Sequence, residues 1–345
     1  MSGAKKVKII SISFVLLLTL LVGFVLFNNI TDRSFAPFFV FDGGDFTDSG
    51  LSSLSVIPHA PDSPLAPASP DIVESPVIIE SPKDEPAPPE TEQKQTFQMV
   101  KPDIHKGSLI LINHEYGYEI PEENDLIDIA EYKTGSYRVS GKALLLSSSV
   151  IGPLNDMMDA FYDATGRKNV TVTSAFRDYD RQQEILDELI ATVGRNEART
   201  RAARPGHSEH HAGLAVDFSV YSDGSLKTFT GTGDTGWFSV NSHKFGFISR
   251  YPEDKTHITK TAYEPWHFRY VGSPHAYFIR QSGLCFEEYI ELLMGCTQDK
   301  PYRAWFEDEE YGIFFTQDTK ISVPADCEAD ISGNNISGFI VTIKL

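Results

Sequence analysis

Hydrophobic positions divide this chain into three stretches of different rhythm. The first is continuous: Ile9 to Phe27 is apolar but for Ser11, Ser13, Thr19 and Gly23, and Lys5, Lys6 and Lys8 precede it. Nineteen residues at about 1.5 Å each nearly cross a hydrocarbon core of ~30 Å. The lysines before the run place the amino terminus in the cytoplasm and everything after it outside. The segment that follows, Asn28 to Arg33, holds no Ala-x-Ala cleavage pattern, so an uncleaved anchor over residues 1–30 is expected rather than a signal peptide.

The second stretch has no periodicity. Ten prolines fall between Pro58 and Pro89, among Ser, Ala, Glu and Asp. Such a composition cannot bury enough apolar surface to offset its ordering entropy, and proline biases it towards extended polyproline II. Residues 31–96 therefore read as a disordered stalk, in which about fifty extended residues would reach ~150 Å.

Periodic patterns begin near Phe97. Leu109-Ile110-Leu111-Ile112 suggests a short buried strand. Val150 to Thr165 carries Leu154, Met157, Met158 and Phe161 on one helical face, with Pro153 suited to a first turn and Gly166 as the stop. Val170 to Ser174 alternates as a strand that delivers Arg177 just beyond its end. Asp180 to Val193 is helical, ending at Gly194, and Asn196 to Ala203 is a further candidate. Leu214 to Val220 forms a strand with Ala215 and Asp217 on one face and Leu214, Val216 and Phe218 on the other. Trp266 to Val271 puts His267 and Arg269 together and Trp266, Phe268 and Tyr270 opposite. With no repeating βαβ rhythm, the pattern predicts an α+β domain over residues 97–296: a small antiparallel sheet flanked by helices, with a metal site on one sheet face. Tyr311 to Phe315, Lys320 to Val323 and Phe339 to Ile343, with a turn at Gly333-Asn334-Asn335, give residues 297–345 the look of a small β-rich extension.

Charge narrows the possible functions. Acidic residues outnumber basic ones 48 to 30, a net −18, so there is no basic footprint for a nucleic-acid partner. Cys285, Cys296 and Cys327 form no CxxC pair. On a continuous helix the first two would stand about 16 Å apart, too far for a disulfide, so buried free thiols are expected.

The chemistry concentrates in Ser208-Glu209-His210-His211-Ala212-Gly213-Leu214-Ala215-Val216-Asp217 and in Glu264-Pro265-Trp266-His267. Imidazoles, a carboxylate and a spare glutamate make the inventory of a catalytic zinc centre: three ligands, an open position for water, and a general base. Asp217 inside an apolar strand needs a cation or metal to offset its desolvation, an ion pair with an arginine being the plainer alternative. His207, His210 and His211 compete for one ligand position, and spacing alone does not separate them.

These segments resemble the VanY-type D-alanyl-D-alanine carboxypeptidases, the M15 zinc peptidases. The match rests on Ser208-x-His210-x-x-Gly213-x-Ala215-x-Asp217, on Glu264-x-x-His267, on Ser174-Ala175-Phe176-Arg177 through Gln182, and on Phe245 to Pro252, and it spans roughly residues 101–296. It implies Zn²⁺ on His210, Asp217 and His267, with Glu264 as the base and Arg177 on the substrate or the anionic transition state. Gln182, Ser208 and Trp266 are the implied substrate contacts; Asp178 departs from the serine expected after Arg177. The implied activity is removal of the C-terminal D-alanine from peptidoglycan stem peptides by a single-pass membrane enzyme facing outward. The alternatives are an L,D-carboxypeptidase acting on tetrapeptides and a wall-peptide-binding protein without catalysis.

Overall fold

A computed structural model describes residues 93–141 and 143–345. The expected anchor at Ile9–Phe27 and the stalk as far as residue 92 lie outside the described residues. Among the described residues, no helix is long and apolar enough to cross a membrane.

Among the described residues, fourteen strands follow one another as β1 (Lys94–Gln98), β2 (Leu126–Asp128), β3 (Arg138–Val139), β4 (Leu145–Ser147), β5 (Val170–Ser174), β6 (Ala215–Ser222), β7 (Ser225–Thr228), β8 (Phe247–Tyr251), β9 (Glu264–Tyr270), β10 (Tyr302–Phe306), β11 (Glu309–Thr316), β12 (Lys320–Pro324), β13 (Ala329–Gly333) and β14 (Phe339–Lys344). The sheet that matters here has the order β3-β5-β6-β9-β8, with β7 also paired to β6. The expectation of an antiparallel sheet holds except at one edge, where β3 runs parallel to β5. In register, Val216 faces Phe268 and Asp217 faces His267 across β6 and β9. Alternation then gives this sheet an apolar face and a polar one.

Helix α1 (Ser148–Thr165) covers the apolar face. Its buried Val150, Leu154, Met157, Met158 and Phe161 recur at helical spacing and join Val172, Val216, Phe218 and Phe268 in one core. It starts two residues before the expected Val150, so Pro153 sits inside the helix rather than at its entry. Helix α2 (Tyr179–Val193) is capped by Asp178, whose side chain accepts from the Arg181 amide at 2.8 Å. Helix α3 (Arg195–Arg201) follows directly.

A second apolar layer lies over the polar face. It combines Leu109, Leu111 and Ile248 with residues of helices α4 (His275–Ser282) and α5 (Phe286–Met294), and with Ile313 and Ile340 of the last sheet. Leu109–Ile112 is buried as expected but is not a strand. Its backbone is partnered instead by side chains and a turn: Arg269 donates to the Ile110 carbonyl, Asn335 donates to the Leu111 carbonyl, and the Leu111 amide donates to the Asn334 carbonyl. With the Leu109 amide donating to Ser332 Oγ at 2.9 Å, these bonds take up part of its backbone polar groups without a ladder.

The C-terminal strands are not set apart. β10, β11, β14 and β13 form a sheet in that order, whereas β12 pairs with β1. β1 begins at Lys94, inside the segment assigned to the stalk, and the described residues all fall within one compact unit. Among the thiols, Cys285 is buried at the start of α5, while Cys296 and Cys327 are only half-buried.

Candidate metal centre

His210 sits on a 3₁₀ turn, Glu209–Ala212, closed by Gly213 in the left-handed region at φ +65°. A Cβ at Gly213 would lie 2.6 Å from Leu126 Cδ2 and 3.0 Å from the Ser147 amide nitrogen, so the close approach of this turn to β4 demands glycine. The turn bends His210 back over the polar face, where it meets Asp217 of β6 and His267 of β9.

One atom each from His210, Asp217 and His267 lies within 4.8 Å of the others. His210 Nδ1 donates to the Ala175 carbonyl at 2.6 Å, which leaves Nε2 facing Asp217 Oδ2 at 3.3 Å. That nitrogen is buried and has no hydrogen-bond partner. His267 Nδ1 points to Asp217 Oδ1 at 3.0 Å, and its far nitrogen, Nε2, points to Glu209 Oε2 at 3.1 Å. An orphaned buried imidazole nitrogen beside a carboxylate and a second imidazole is a donor set that fits a divalent zinc-type ion.

The electrostatics point the same way. Burial, with Arg177 nearby, pushes His210 down to about 4. Burial acts against the charge on His267 too, yet its bonds to Asp217 and Glu209 hold it up at about 9. Asp217 is drawn well below the usual carboxylate range despite burial, because both imidazoles face it. The cluster is built to hold positive charge.

Glu264 begins β9, and its Oε2 lies 3.9 Å from His267 Nδ1. Residues three apart on a regular strand point to opposite faces, but the β8–β9 register slips between Ser249 and Tyr251, so Tyr251 pairs with Glu264. That irregularity turns Glu264 towards His267. Burial raises its carboxyl to about 7. Arg177 Nη2 stands 3.8 Å from Asp217 Oδ2, and its buried Nε has no partner. Side-chain exposure is 19 % for Asp217, 16 % for Arg177 and 11 % for Glu264, against 1 % for His210, so the opening lies on the carboxylate–arginine side.

The other expected substrate contacts separate. Gln182 is buried, with Nε2 donating to the Ala203 carbonyl at 2.7 Å and Oε1 unpartnered. Ser208 is buried at the start of the 3₁₀ turn. Trp266 is half-buried against the apolar core on the opposite face, because alternation along β9 turns it away from His267. His211 pins the site loop: Nδ1 donates to the Arg177 carbonyl at 2.6 Å, and Nε2 accepts from the Gly206 amide at 3.0 Å. His207 Nδ1 donates to the Asn113 carbonyl. A cavity of about 510 Å³, bordered by Tyr118, Ile120, Phe176 and His211, adjoins this loop and is of a size that admits a small ligand.

Beneath the cluster lies a feature the sequence reading missed. Glu209 is fully buried, and its Oε1 accepts from Arg250 Nε at 2.7 Å and from Arg269 Nη1 at 3.0 Å. Arg250 reaches on to Glu287 of α5 through both terminal nitrogens, at 2.9 and 2.7 Å. Burial would raise the Glu209 carboxyl, but Arg250, Arg269 and His267 together hold it well below its ordinary range. The signal available in the sequence was Arg269, placed beside His267 by alternation and in need of an anion.

A sequence model described as VanY, D-alanyl-D-alanine carboxypeptidase, matches residues 144–273, which include the whole cluster. A D-alanyl-D-alanine carboxypeptidase of Enterococcus faecium is 32 % identical over 263 residues, covering 73 % of this chain and 80 % of that protein. One from Enterococcus faecalis is 38 % identical over 213 residues, covering 58 % and 73 %. Among solved structures, the vancomycin-resistance D,D-dipeptidase VanXYg in complex with a D-Ala-D-Ala phosphinate analogue superposes with a TM-score of 0.65 at 28 % identity. The match covers 73 % of this chain and 100 % of that one.

Proposed function

The chain belongs to the VanY family of D-alanyl-D-alanine carboxypeptidases, and from that premise we propose that it is a zinc-dependent enzyme removing the C-terminal D-alanine from peptidoglycan stem peptides outside the cytoplasm. The observation that carries this reading is the convergence of His210, Asp217 and His267 within 4.8 Å, with Glu264 beside them. Zinc held by His210 Nε2, Asp217 and His267 Nδ1 would supply Lewis acidity for the scissile carbonyl and for a water molecule.

The chain's own groups supply the rest. Glu264, raised by burial to about 7, takes a proton from the attacking water near neutral pH and passes it to the leaving amine of D-alanine. Arg177 offers a positive charge at the mouth of the site, its Nη2 standing 3.8 Å from Asp217 Oδ2, for a substrate oxygen that gains negative charge. The apolar run Ile9–Phe27 supports a membrane tether that leaves the folded unit outside.

Incubation of the full chain with defined muropeptides, read by mass spectrometry, tests this. Pentapeptides ending in D-Ala-D-Ala should lose one alanine, chelation should stop the reaction, and added zinc should restore it. Intact pentapeptides in the presence of zinc would refute the reading; trimming confined to tetrapeptides would replace D,D with L,D specificity.

A further inference from the structure

Both carboxylate oxygens of Glu209 are committed. Oε2 receives His267 Nε2 at 3.1 Å, while Oε1 receives Arg250 Nε and Arg269 Nη1 at 2.7 and 3.0 Å. The two arginines are themselves fixed. Arg269 donates to the carbonyls of Ser108 and Ile110 at 3.0 and 2.9 Å, and Arg250 makes its paired contact with Glu287. Glu209, Arg250 and Arg269 are all buried, with no more than 1 % exposure, so none of them is positioned to meet substrate. An ion pair this deep is poor material for stability, since desolvation cancels most of the attraction. Its geometry has one consequence that an apolar replacement would lack: it holds the far nitrogen of a cluster imidazole.

We propose that Glu209 is a positioning residue for the metal centre, aiming His267 so that Nδ1, and not Nε2, is presented to the ion. Both ring nitrogens face carboxylate oxygens, but an acceptor-only oxygen at Nε2 keeps the hydrogen there, leaving Nδ1, on the Asp217 side, as the nitrogen whose lone pair a metal would take. The ring then has one orientation in which Nδ1 meets Asp217, and the arginine pair stops the carboxylate from rotating away. His210 is handled in parallel, with the Ala175 carbonyl holding Nδ1, but that acceptor is backbone and cannot be removed by substitution. Partners of this kind, one bond behind a ligand, typically account for 10–100-fold in metal affinity.

This inference rests on the zinc reading, and the experiment keeps the two apart. Zinc affinity of the full chain is measured by competition with a chromogenic chelator for the native protein and for Glu209→Gln, Glu209→Asp and Glu287→Gln. Glu209→Asp retains the charge facing the arginines but draws the carboxylate back from His267, so it guards against simple unfolding of Glu209→Gln. Glu287→Gln disturbs the same buried network at its far end and leaves the Glu209–His267 bond in place. The expected result is a 10–100-fold loss of zinc affinity in both Glu209 variants and less than a threefold change in Glu287→Gln. The downfield imidazole N–H proton resonance of His267 in the zinc-loaded protein should persist in Glu287→Gln and shift or vanish in Glu209→Asp. Native affinity in Glu209→Asp, or equal losses in Glu209→Asp and Glu287→Gln, would overturn the positioning role. Failure of the native chain to bind zinc would instead overturn the reading beneath it.

Discussion

The two faces of the central sheet are built from the same strands and do opposite things. Val216, Phe218 and Phe268 turn to one side, where the two phenylalanines join Phe229 and Phe238 in a set of rings with centroids 5.2–6.0 Å apart. Asp217, His267 and Arg269, each one step along, turn to the other side and meet imidazole, carboxylate and guanidinium groups. The apolar face derives its stability from burial and close packing. The polar face consists of groups whose desolvation works against folding, held in place by one another and by the helices behind them. Stability and chemistry are thus separated by a single residue of register. Each should be damageable without the other.

The largest effect should fall on chemistry alone. Glu264→Gln keeps the size of the side chain but removes the proton acceptor, so D-alanine release should fall by about 10²–10⁴-fold while zinc content and thermal midpoint hold. Loss of zinc in this variant would make Glu264 a ligand and require another base.

The converse experiment attacks packing. Phe268→Ala should cost about 3–5 kcal/mol in urea unfolding while leaving the arrangement of His267 and Asp217 able to bind zinc in whatever fraction stays folded. A cost under ~1 kcal/mol would show that the aromatic face does not hold the sheet together.

Acid should find the layer behind the polar face. Burial pushes His275 down to about 3, with Nδ1 at 2.8 Å from the Tyr289 hydroxyl and Nε2 at 3.0 Å from the Thr342 hydroxyl. The unfolded chain binds this proton near pH 6.5 and the folded one only near 3, so stability should fall as pH drops through that window. At pH 5 the loss from this group is about 2 kcal/mol. His275→Gln should flatten the slope between pH 6 and 4; an unchanged slope would place the acid sensitivity elsewhere.

The smallest effect concerns the loop between the faces. Asp178 caps α2 directly after Arg177, and Asp178→Ala should cost about 1 kcal/mol by denaturant titration. A larger loss would mean that the cap also holds Arg177 in place.

Much of this arrangement was legible in local patterns. Alternation along Leu214–Val220 and Trp266–Val271 assigned Asp217 and His267 to one face, and the resemblance selected His210 from three adjacent candidates. Helical spacing located α1 and α2 to within two residues. What stayed hidden depended on contacts distant in sequence. Leu109–Ile112 looks like a strand because apolar runs do, and only Arg269 and the Asn334–Asn335 turn show why its backbone needs no ladder. Glu209 looks like a spacer between Ser208 and His210, since its partners Arg250 and Arg269 lie 41 and 60 residues away. Trp266 was set among the substrate contacts by its place beside His267, although alternation turns it to the core.

The pairing of β1 with β12 matters for the order in which the protein can mature. Gln95 must wait for Pro324, 229 residues further along, before its side chain finds its partner there. At ~5–20 residues per second, that delay is roughly 10–50 s of synthesis. His210, Asp217 and His267 have all been made by residue 267, whereas Ile313 and Ile340, which share a core with Leu109, Phe286 and Ile290, come 46 and 73 residues later. A growing chain therefore holds His210, Asp217 and His267 before it holds the whole of the layer that backs them.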